Sequence, residues 1–172
     1  MNVVEVVEAL CSKLAVGSGR HLYAILGPYP ALDDFAQRLA QAKLLDGRRF
    51  PVPLSVNRGI LDAIPDNDFK RLTRDEVIYP EPTVAHIRQA FEQFLRNQLQ
   101  GRGLVILRDL ELLFAYGIEL NMLRVLAAND DHILLLLPGR RERGQIVLFP
   151  ESEQHVCTLP TTLIAENHLW EL

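Results

Sequence analysis

The strongest constraint on the fold is an unbroken apolar run that leads directly into an amphipathic helix. Residues 22–26 form the run, a tight Gly-Pro-Tyr-Pro turn occupies residues 27–30, and apolar residues then recur at helical spacing up to about residue 42. A continuous apolar run is typical of a strand that is covered on both faces of a parallel sheet. Strand-to-helix alternation builds such sheets. The segment therefore predicts an α/β fold.

The rest of the sequence continues this alternation. Residues 2–15 carry a helical apolar stripe, and Thr83 is a plausible N-cap for a helix that extends to residue 99. Pro51 and Pro53 confine a weaker strand candidate, residues 52–56, to a sheet edge or a strand start. Further patterns predict strands at 104–107, 133–137, 145–149 and 157–159, and a helix at about 111–128. We expect one domain over residues 1–172, with a mainly parallel sheet flanked by helices and an irregular excursion at about 57–82.

Composition and charge narrow the classes of protein to consider. The net charge of -4 argues against a wholly basic nucleic-acid coat protein. The N-terminal residues do not resemble a signal peptide, and the longest apolar runs are far shorter than the roughly 20 residues of a membrane helix. The two cysteines, Cys11 and Cys157, are far apart in sequence, which favours reduced thiols. We expect a soluble, cytoplasmic protein without membrane contact.

The turn at residues 27–30 occupies the place of a phosphate-binding loop in P-loop proteins. A Walker A loop needs a second glycine, a lysine for the β- and γ-phosphates, and a hydroxyl group for Mg²⁺. Counted from Gly27, those positions hold Leu32, Asp33 and Asp34. We expect a rigid strand-to-helix turn with the two aspartates in the first helical turn, where acidic side chains complement the helix dipole. This degenerate motif predicts that ATP hydrolysis is inefficient or absent.

A second acidic position follows the strand candidate at 104–107. The segment GLVILRDLELLF places Arg108 directly after the apolar run, then Asp109, and Glu111 two residues later. An acidic residue at the carboxyl end of such a strand holds Mg²⁺ in a working NTPase. Asp109 is therefore either the remnant of a metal site or the N-cap of the next helix, and both interpretations stay open.

Three arginines, Arg140, Arg141 and Arg143, lie in the loop PGRRERG at residues 138–144. Such a cluster can bind a nucleic-acid phosphate, a nucleotide on a neighbouring subunit, or a carboxylate of a partner. We favour a charged hairpin turn, because the acidic residues Glu142, Glu151 and Glu153 lie nearby in sequence.

Other site chemistries find little support in the sequence. The histidines show no metal-binding spacing and are predicted to be surface or capping residues; they are His21, His86, His132, His155 and His168. The sequence contains no G-x-S-x-G motif, which disfavours a serine hydrolase. No metal site is predicted from the histidines or cysteines.

Four segments together resemble the small P-loop proteins called BrxF, from type III BREX systems that restrict bacteriophage in bacteria. They are YAILGPYP, LVILRDLELLF, HILLLLPG as a sensor-like strand, and the tail TLPTTLIAENHLWEL. The resemblance implies an AAA-like P-loop NTPase core that acts with larger BREX proteins, including a methyltransferase, a helicase and a phosphatase-like component. It places residues 27–34, with Gly27, Tyr29, Asp33 and Asp34, at the phosphate loop, and Asp109 at the Walker B acid.

Three hypotheses about function follow. In the first, the chain is an accessory or regulatory subunit of a BREX assembly and binds partner proteins without efficient ATP hydrolysis. Its apolar docking surface would be the first helix or the tail residues Leu163, Ile164, Leu169 and Trp170. In the second, it is a true ATP-binding protein or ATPase that self-associates, so that an arginine of residues 140–143 acts on a neighbour's nucleotide while Mg²⁺ is held by Asp33, Asp34 and Asp109. In the third, the same arginines contact DNA.

Overall fold

The computed structural model describes residues 2–152 and 156–172, and it shows an α/β fold with a mostly parallel sheet flanked by helices. The predictions that involve Glu153 and His155 lie outside the described residues. The helices are α1 (Val3–Leu14), α2 (Tyr29–Gln41), α3 (Val56–Ala63), α4 (Asp66–Asp75), α5 (Glu81–Leu99), α6 (Glu111–Ala115) and α7 (Asn121–Leu126). The strands are β1 (Leu22–Gly27), β2 (Leu54–Ser55), β3 (Leu104–Arg108), β4 (His132–Glu142), β5 (Gln145–Leu148), β6 (Cys157–Leu159) and β7 (Leu169–Glu171). A short 3-10 helix, Glu166–His168, precedes β7.

Five strands form the parallel part of the sheet, in the order β2-β3-β4-β1-β7. The predicted sensor-like strand β4 therefore lies between β1 and β3, with Leu135 opposite Ala24 on one side and Leu107 on the other. Beyond the carboxyl edge of the sheet, β4 continues and pairs antiparallel with β5, which pairs with β6. This topology brings the carboxyl ends of β1, β3 and β2 to one edge, where open α/β sheets bind ligands.

Alternate residues of the central strands pack on opposite faces of the sheet. Ala24, Leu107 and Leu135 face the side covered by α3, α5, α6 and α7. Tyr23 and Leu134 face the side covered by α1 and α2. Both faces of β1 are thus buried, which is why the sequence of this strand is continuously apolar rather than alternating.

The segment at 57–82 is more regular than the sequence suggested, so the prediction of an irregular excursion is wrong. It forms α3 and α4, and the Ser55 hydroxyl caps α3 by accepting a hydrogen bond from the Arg58 N–H at 3.4 Å. The two helices are short and bounded by Pro65 and Pro80, which obscured their periodicity. The predicted edge position of β2 is confirmed.

Two predicted helix boundaries are also wrong. The helix expected at 111–128 is divided into α6 and α7, because Gly117 adopts the left-handed backbone conformation with φ of +64°. Helix α5 begins at Glu81 after Pro80, so Thr83 lies inside the helix and is not its N-cap. The proline pair at 80 and 82 starts the helix early because proline is favourable in the first turn.

The predicted docking surfaces are not available. The tail residues Leu163, Ile164, Leu169 and Trp170 are buried in the chain's own core, as are Val6 and Leu10 of α1. Three successive apolar side chains are exposed between α4 and α5 instead: Val77, Ile78 and Tyr79 are 92%, 72% and 64% exposed. No helix in the described part of the chain is long and apolar enough to cross a membrane.

Candidate functional site

The connection between β1 and α2 is a single residue, Pro28. Pro28 and Pro30 lack an N–H, and the Leu32 N–H already donates to the Pro28 carbonyl at 3.1 Å. The N–H groups of Tyr29 and Ala31 are what this helix start offers to an anion. A Walker A loop instead wraps phosphates with several consecutive N–H groups. The geometry is that of a rigid strand-to-helix turn.

Gly27 serves close packing at the end of β1. A Cβ atom at this position would lie 3.3 Å from the Cβ of Leu172, and the Leu172 N–H donates to the Leu26 carbonyl at 2.9 Å. Gly27 is itself buried. The glycine therefore lets Leu172 close over the carboxyl end of β1, on the side of β7.

Arg108 joins two of the predicted site residues. Its guanidinium donates one hydrogen bond to Oδ1 of Asp33 at 2.8 Å and another to Oδ1 of Asp109 at 3.1 Å. Burial lowers the pKa of Arg108, but the hydrogen bonds to Asp109 and Asp33 outweigh that effect and raise it above its usual value. Arg108 thus stays charged between the two carboxylates and forms an ion pair with each of them.

Asp33 and Asp34 lie on the exposed side of α2. The helix begins at Tyr29, so its first turn contains no acidic residue and the prediction that these aspartates occupy it is wrong. The earlier start follows from Pro30, which is well suited to the first helical turn. Asp33 instead faces Arg108, and the structure thereby brings Asp33 and Asp109 to one guanidinium.

Asp109 adopts an unusual backbone conformation at the end of β3. Its φ is +55°, in the left-handed region that aspartate tolerates better than most residues, and its carbonyl accepts a hydrogen bond from the Asn57 N–H at 2.9 Å. The N-cap of α6 is Leu110, so the prediction of Asp109 as a helix N-cap is wrong. The left-handed turn directs the Asp109 carboxylate to Arg108 instead.

Asn57 supplies the missing cap from a distant part of the chain. Its side-chain Oδ1 accepts from the Leu112 N–H at 2.9 Å, and its Nδ2 donates to Glu111 at 2.8 Å. Asn57 was not among the residues predicted from the sequence. Its position in the sequence could have indicated it. Asn57 directly follows the strand candidate at 52–56, and the carboxyl ends of parallel strands meet at the edge where the other candidate residues lie.

Glu111 connects this cap to the start of α2. Its Oε1 accepts a hydrogen bond from the Tyr29 hydroxyl at 2.8 Å, while its Oε2 accepts from Asn57. Partial burial raises the pKa of the Tyr29 phenol, and the hydrogen bond to the Glu111 carboxylate raises it further. Tyr29, Glu111 and Asn57 therefore link α2, α6 and α3 across the carboxyl edge.

Little space is left among these groups. The depression between Tyr29, Arg108 and Asp109 encloses about 10 Å³, roughly enough for one water molecule. A larger cleft of about 300 Å³ lies on the other side of Tyr29 and is lined by Gly27, Tyr29, Arg140 and Glu171 among others. Asp33, Asp34 and Asp109 are not in its lining. Of the residues predicted to bind nucleotide and magnesium, Gly27 and Tyr29 line the larger cleft, whereas Asp109 lines only the small depression.

The arginine segment forms a charged hairpin, as predicted. Arg140 and Arg141 lie in β4, and Arg143 lies in the turn with φ of +49°. Arg140 pairs with Glu142 at 3.1 Å, and Arg141 donates to the Leu169 carbonyl at 2.6 Å. Arg141 therefore ties the hairpin to β7.

Replacing Tyr29 by phenylalanine tests the link to Glu111. Because Tyr29 is 43% exposed, we expect the free energy of unfolding to fall by less than about 1 kcal/mol. Urea unfolding measures the change, and Tyr79→Phe, at an exposed tyrosine outside this network, is the matched control. A loss above about 2 kcal/mol would contradict this description of the hydrogen bond.

The carboxyl edge thus has three features. Arg108 pairs with two carboxylates, the Tyr29 hydroxyl donates to the carboxylate of Glu111, and a cleft lies beside the charged β4–β5 hairpin. Within residues 2–152 and 156–172, no three side chains among His, Cys, Asp and Glu are grouped so as to hold a metal ion. The arrangement is well suited to fixing the relative positions of α2, α3 and α6. No family model, curated protein or solved structure gives a significant match to the chain.

Proposed function

We propose that the chain is an accessory or regulatory P-loop-like subunit of a bacterial BREX phage-defence assembly and acts without efficient ATP hydrolysis. The observation that carries the second part of this proposal is the position of Arg108 between Asp33 and Asp109. A catalytic Mg²⁺ ion would need these carboxylates as direct or water-mediated ligands. The guanidinium already forms an ion pair with both carboxylates, so a metal ion would have to displace it.

The start of α2 supports the same proposal. Phosphoryl transfer depends on positioning and on neutralising the charge of the phosphates. The turn at residues 27–30 contains two prolines and no lysine for this purpose, and Leu172 packs against Gly27, where a larger side chain would not fit. These features favour a role for this edge in holding the fold together.

The exposed segment at residues 77–79 supports a role in protein binding. Three successive large apolar side chains, each at least 64% exposed, form a surface that soluble proteins usually reserve for a partner. The segment joins α4 to α5, and α5 packs directly on the sheet. The BREX partners themselves are implied by the sequence resemblance described above.

A second candidate function, ATP binding, is favoured by the cleft beside Tyr29. Its volume of about 300 Å³ is at the lower limit of small-molecule sites, and Arg140 in its lining is a suitable group for a phosphate. In this alternative the nucleotide is bound through Tyr29 and Arg140, away from Asp33, Asp34 and Asp109.

The third alternative, DNA contact through Arg140, Arg141 and Arg143, has less support. Arg140 and Arg141 already interact with Glu142 and the Leu169 carbonyl, and the Glu171 carboxylate accepts from the Arg141 N–H at 3.3 Å. Acidic side chains this close reduce the attraction of the hairpin for phosphates.

Disruption of the exposed segment tests the proposed subunit role. We expect the chain to co-elute with type III BREX proteins when they are co-expressed, and the triple variant Val77→Ser, Ile78→Ser, Tyr79→Ser to elute alone. Size-exclusion chromatography with light scattering measures both results. The loss of buried apolar area predicts a fall in affinity of at least about tenfold.

A matched control for this experiment is Val52→Ser with Val125→Ser, at positions that are 76% and 75% exposed elsewhere on the chain. The control should bind like the wild type, and circular dichroism should show that both variants fold. The proposal is wrong if the wild-type chain elutes alone, or if the triple variant binds as tightly as the control.

A further inference from the structure

A cavity lies at the amino edge of the sheet, away from the site described above. Its volume is about 710 Å³, within the range of 300–1,000 Å³ that is usual for small-molecule sites. The walls come from the end of α1, the segment at residues 44–51, and the first residues of β3 and β4. This position makes the cavity independent of the carboxyl-edge residues.

Apolar side chains form one part of the cavity wall. The apolar lining residues include Leu14 at the end of α1, Leu44 in the segment after α2, and Leu104 at the start of β3. Cys11, one turn before Leu14 on α1, also lines the cavity. Cys11 and Leu104 are 8% and 7% exposed, so the wall is continuous with the core on this face of the sheet. The apolar body of a ligand placed here would be shielded from water, which favours binding.

Charged side chains also line the cavity. Arg48, Arg49 and Arg102 line the cavity, together with the carboxylates of Asp46 and Asp130. Arg48 is already engaged by Asp46 at 2.7 Å. The arginines outnumber the carboxylates, and guanidinium groups bind carboxylate, sulfonate and phosphate oxygens through paired N–H donors. The charge of the cavity therefore favours an anion.

His132 adds a buried polar group to the wall. It is 8% exposed, and its Nδ1 has no hydrogen-bond partner among the described residues. Its ring stacks on His21 with the ring centroids 4.1 Å apart. Buried polar atoms in proteins are normally satisfied. The cavity wall thus contains an imidazole with unused hydrogen-bonding capacity.

We propose that this amino-edge cavity binds a small amphipathic anion, with an apolar body against Leu14, Leu44 and Leu104 and an anionic group at Arg49 and Arg102. An apolar wall and arginine side chains are each common, but a cavity lined by both favours a ligand that has an apolar part and an anionic part. This site makes no use of the carboxyl-edge residues, and it holds whether or not the chain binds ATP.

The test uses the dye 8-anilinonaphthalene-1-sulfonate, which has an aromatic body and one sulfonate. We expect a saturable rise in fluorescence with one site per chain, and an increase in Kd of at least about tenfold in the double variant Arg49→Gln, Arg102→Gln. The control is Arg38→Gln with Arg88→Gln, two exposed arginines on α2 and α5. This control should bind like the wild type.

A neutral analogue, N-phenyl-1-naphthylamine, separates the two parts of the proposal. It should bind more weakly than the sulfonate dye to the wild type, and equally to the wild type and the Arg49→Gln, Arg102→Gln variant. Absent or non-saturable dye binding would overturn the proposal, and so would an equal Kd for the arginine variant and its control.

Discussion

Lowering the pH from 7.5 to 4.5 should reduce the free energy of unfolding by roughly 2.5 kcal/mol through His132 alone. Burial lowers the pKa of His132 from its usual 6.5 to about 4, and the neighbouring His21 lowers it further while Asp130 opposes the shift. The folded protein therefore binds fewer protons than the unfolded chain between these two pKa values. Stability is complete above pH 6.5 and is lost as the pH falls towards 4.

Urea unfolding at several pH values, with wild type and His132→Asn, measures this effect. The variant is less stable at pH 7.5 because it disturbs a packed ring, but its stability should depend less steeply on pH between 6.5 and 4.5. His86→Gln, at a histidine on α5 that contacts the Pro82 carbonyl, is the control and should retain the wild-type slope. An identical slope for His132→Asn and wild type would contradict this assignment.

The burial of His132 corrects an expectation from the sequence. His21 and His132 are 2% and 8% exposed, so the prediction of surface or capping histidines is wrong for both. His21 directly precedes β1, and His132 is the first residue of β4. Because β1 and β4 are parallel neighbours, their amino ends, and with them the two histidines, lie side by side. The pairing depends on which strands are adjacent, and local sequence does not encode that choice.

Replacing Asn57 by alanine should lower the free energy of unfolding by about 2 kcal/mol. The variant leaves the Leu112 N–H without its cap and Glu111 without the Asn57 donor. Both partners are only partly exposed, so water replaces the lost hydrogen bonds incompletely. Chemical unfolding measures the loss, and we expect the midpoint to move to lower urea with an unchanged dependence on urea concentration.

Asn67→Ala is the matched control for this prediction. Asn67 lies on the exposed side of α4, where alanine is at least as favourable for a helix as asparagine. We expect the control to match the wild type or to be slightly more stable. Equal stability of Asn57→Ala and Asn67→Ala would show that Asn57 does not cap α6.

The sequence predicted well those helices and strands whose apolar pattern extends over many consecutive residues. The apolar run of β1 and the helical stripe of α5 are each recorded in consecutive residues, and both were found within a few positions. Helices α3 and α4 were missed because each spans few turns and is bounded by proline. The division between α6 and α7 depends on the left-handed conformation of Gly117, which the sequence permits but does not require.

The candidate site could be predicted only in part, because its contacts join distant residues. Asp33 and Asp109 were both identified from their positions relative to strands β1 and β3. The ion pair of Arg108 with Asp33 spans 75 residues, and the Asn57–Leu112 cap spans 55. Such contacts depend on which strands are adjacent, and local sequence does not specify this. Asp33 and Asp109, which suggested a magnesium site in the sequence, are therefore found paired with Arg108.

The carboxyl edge is therefore described as a closed polar network rather than an open phosphate site. Arg108 holds Asp33 and Asp109, while Tyr29 and Asn57 hold Glu111. The Arg108–Asp33 pair joins the end of β3 to α2, while Tyr29 and Asn57 join α2 and α3 to α6 through Glu111. The network therefore fixes the positions of α2, α3 and α6 at this edge of the sheet.

Calorimetric titration of the purified chain with Mg-ATP tests the central claim most directly. We predict no saturable heat at millimolar nucleotide for the wild type, because Arg108 already pairs with Asp33 and Asp109, and the same result for Asp109→Asn. A saturable, Mg²⁺-dependent heat in the wild type that disappears in Asp109→Asn would contradict the account and establish Asp109 as part of a working nucleotide site.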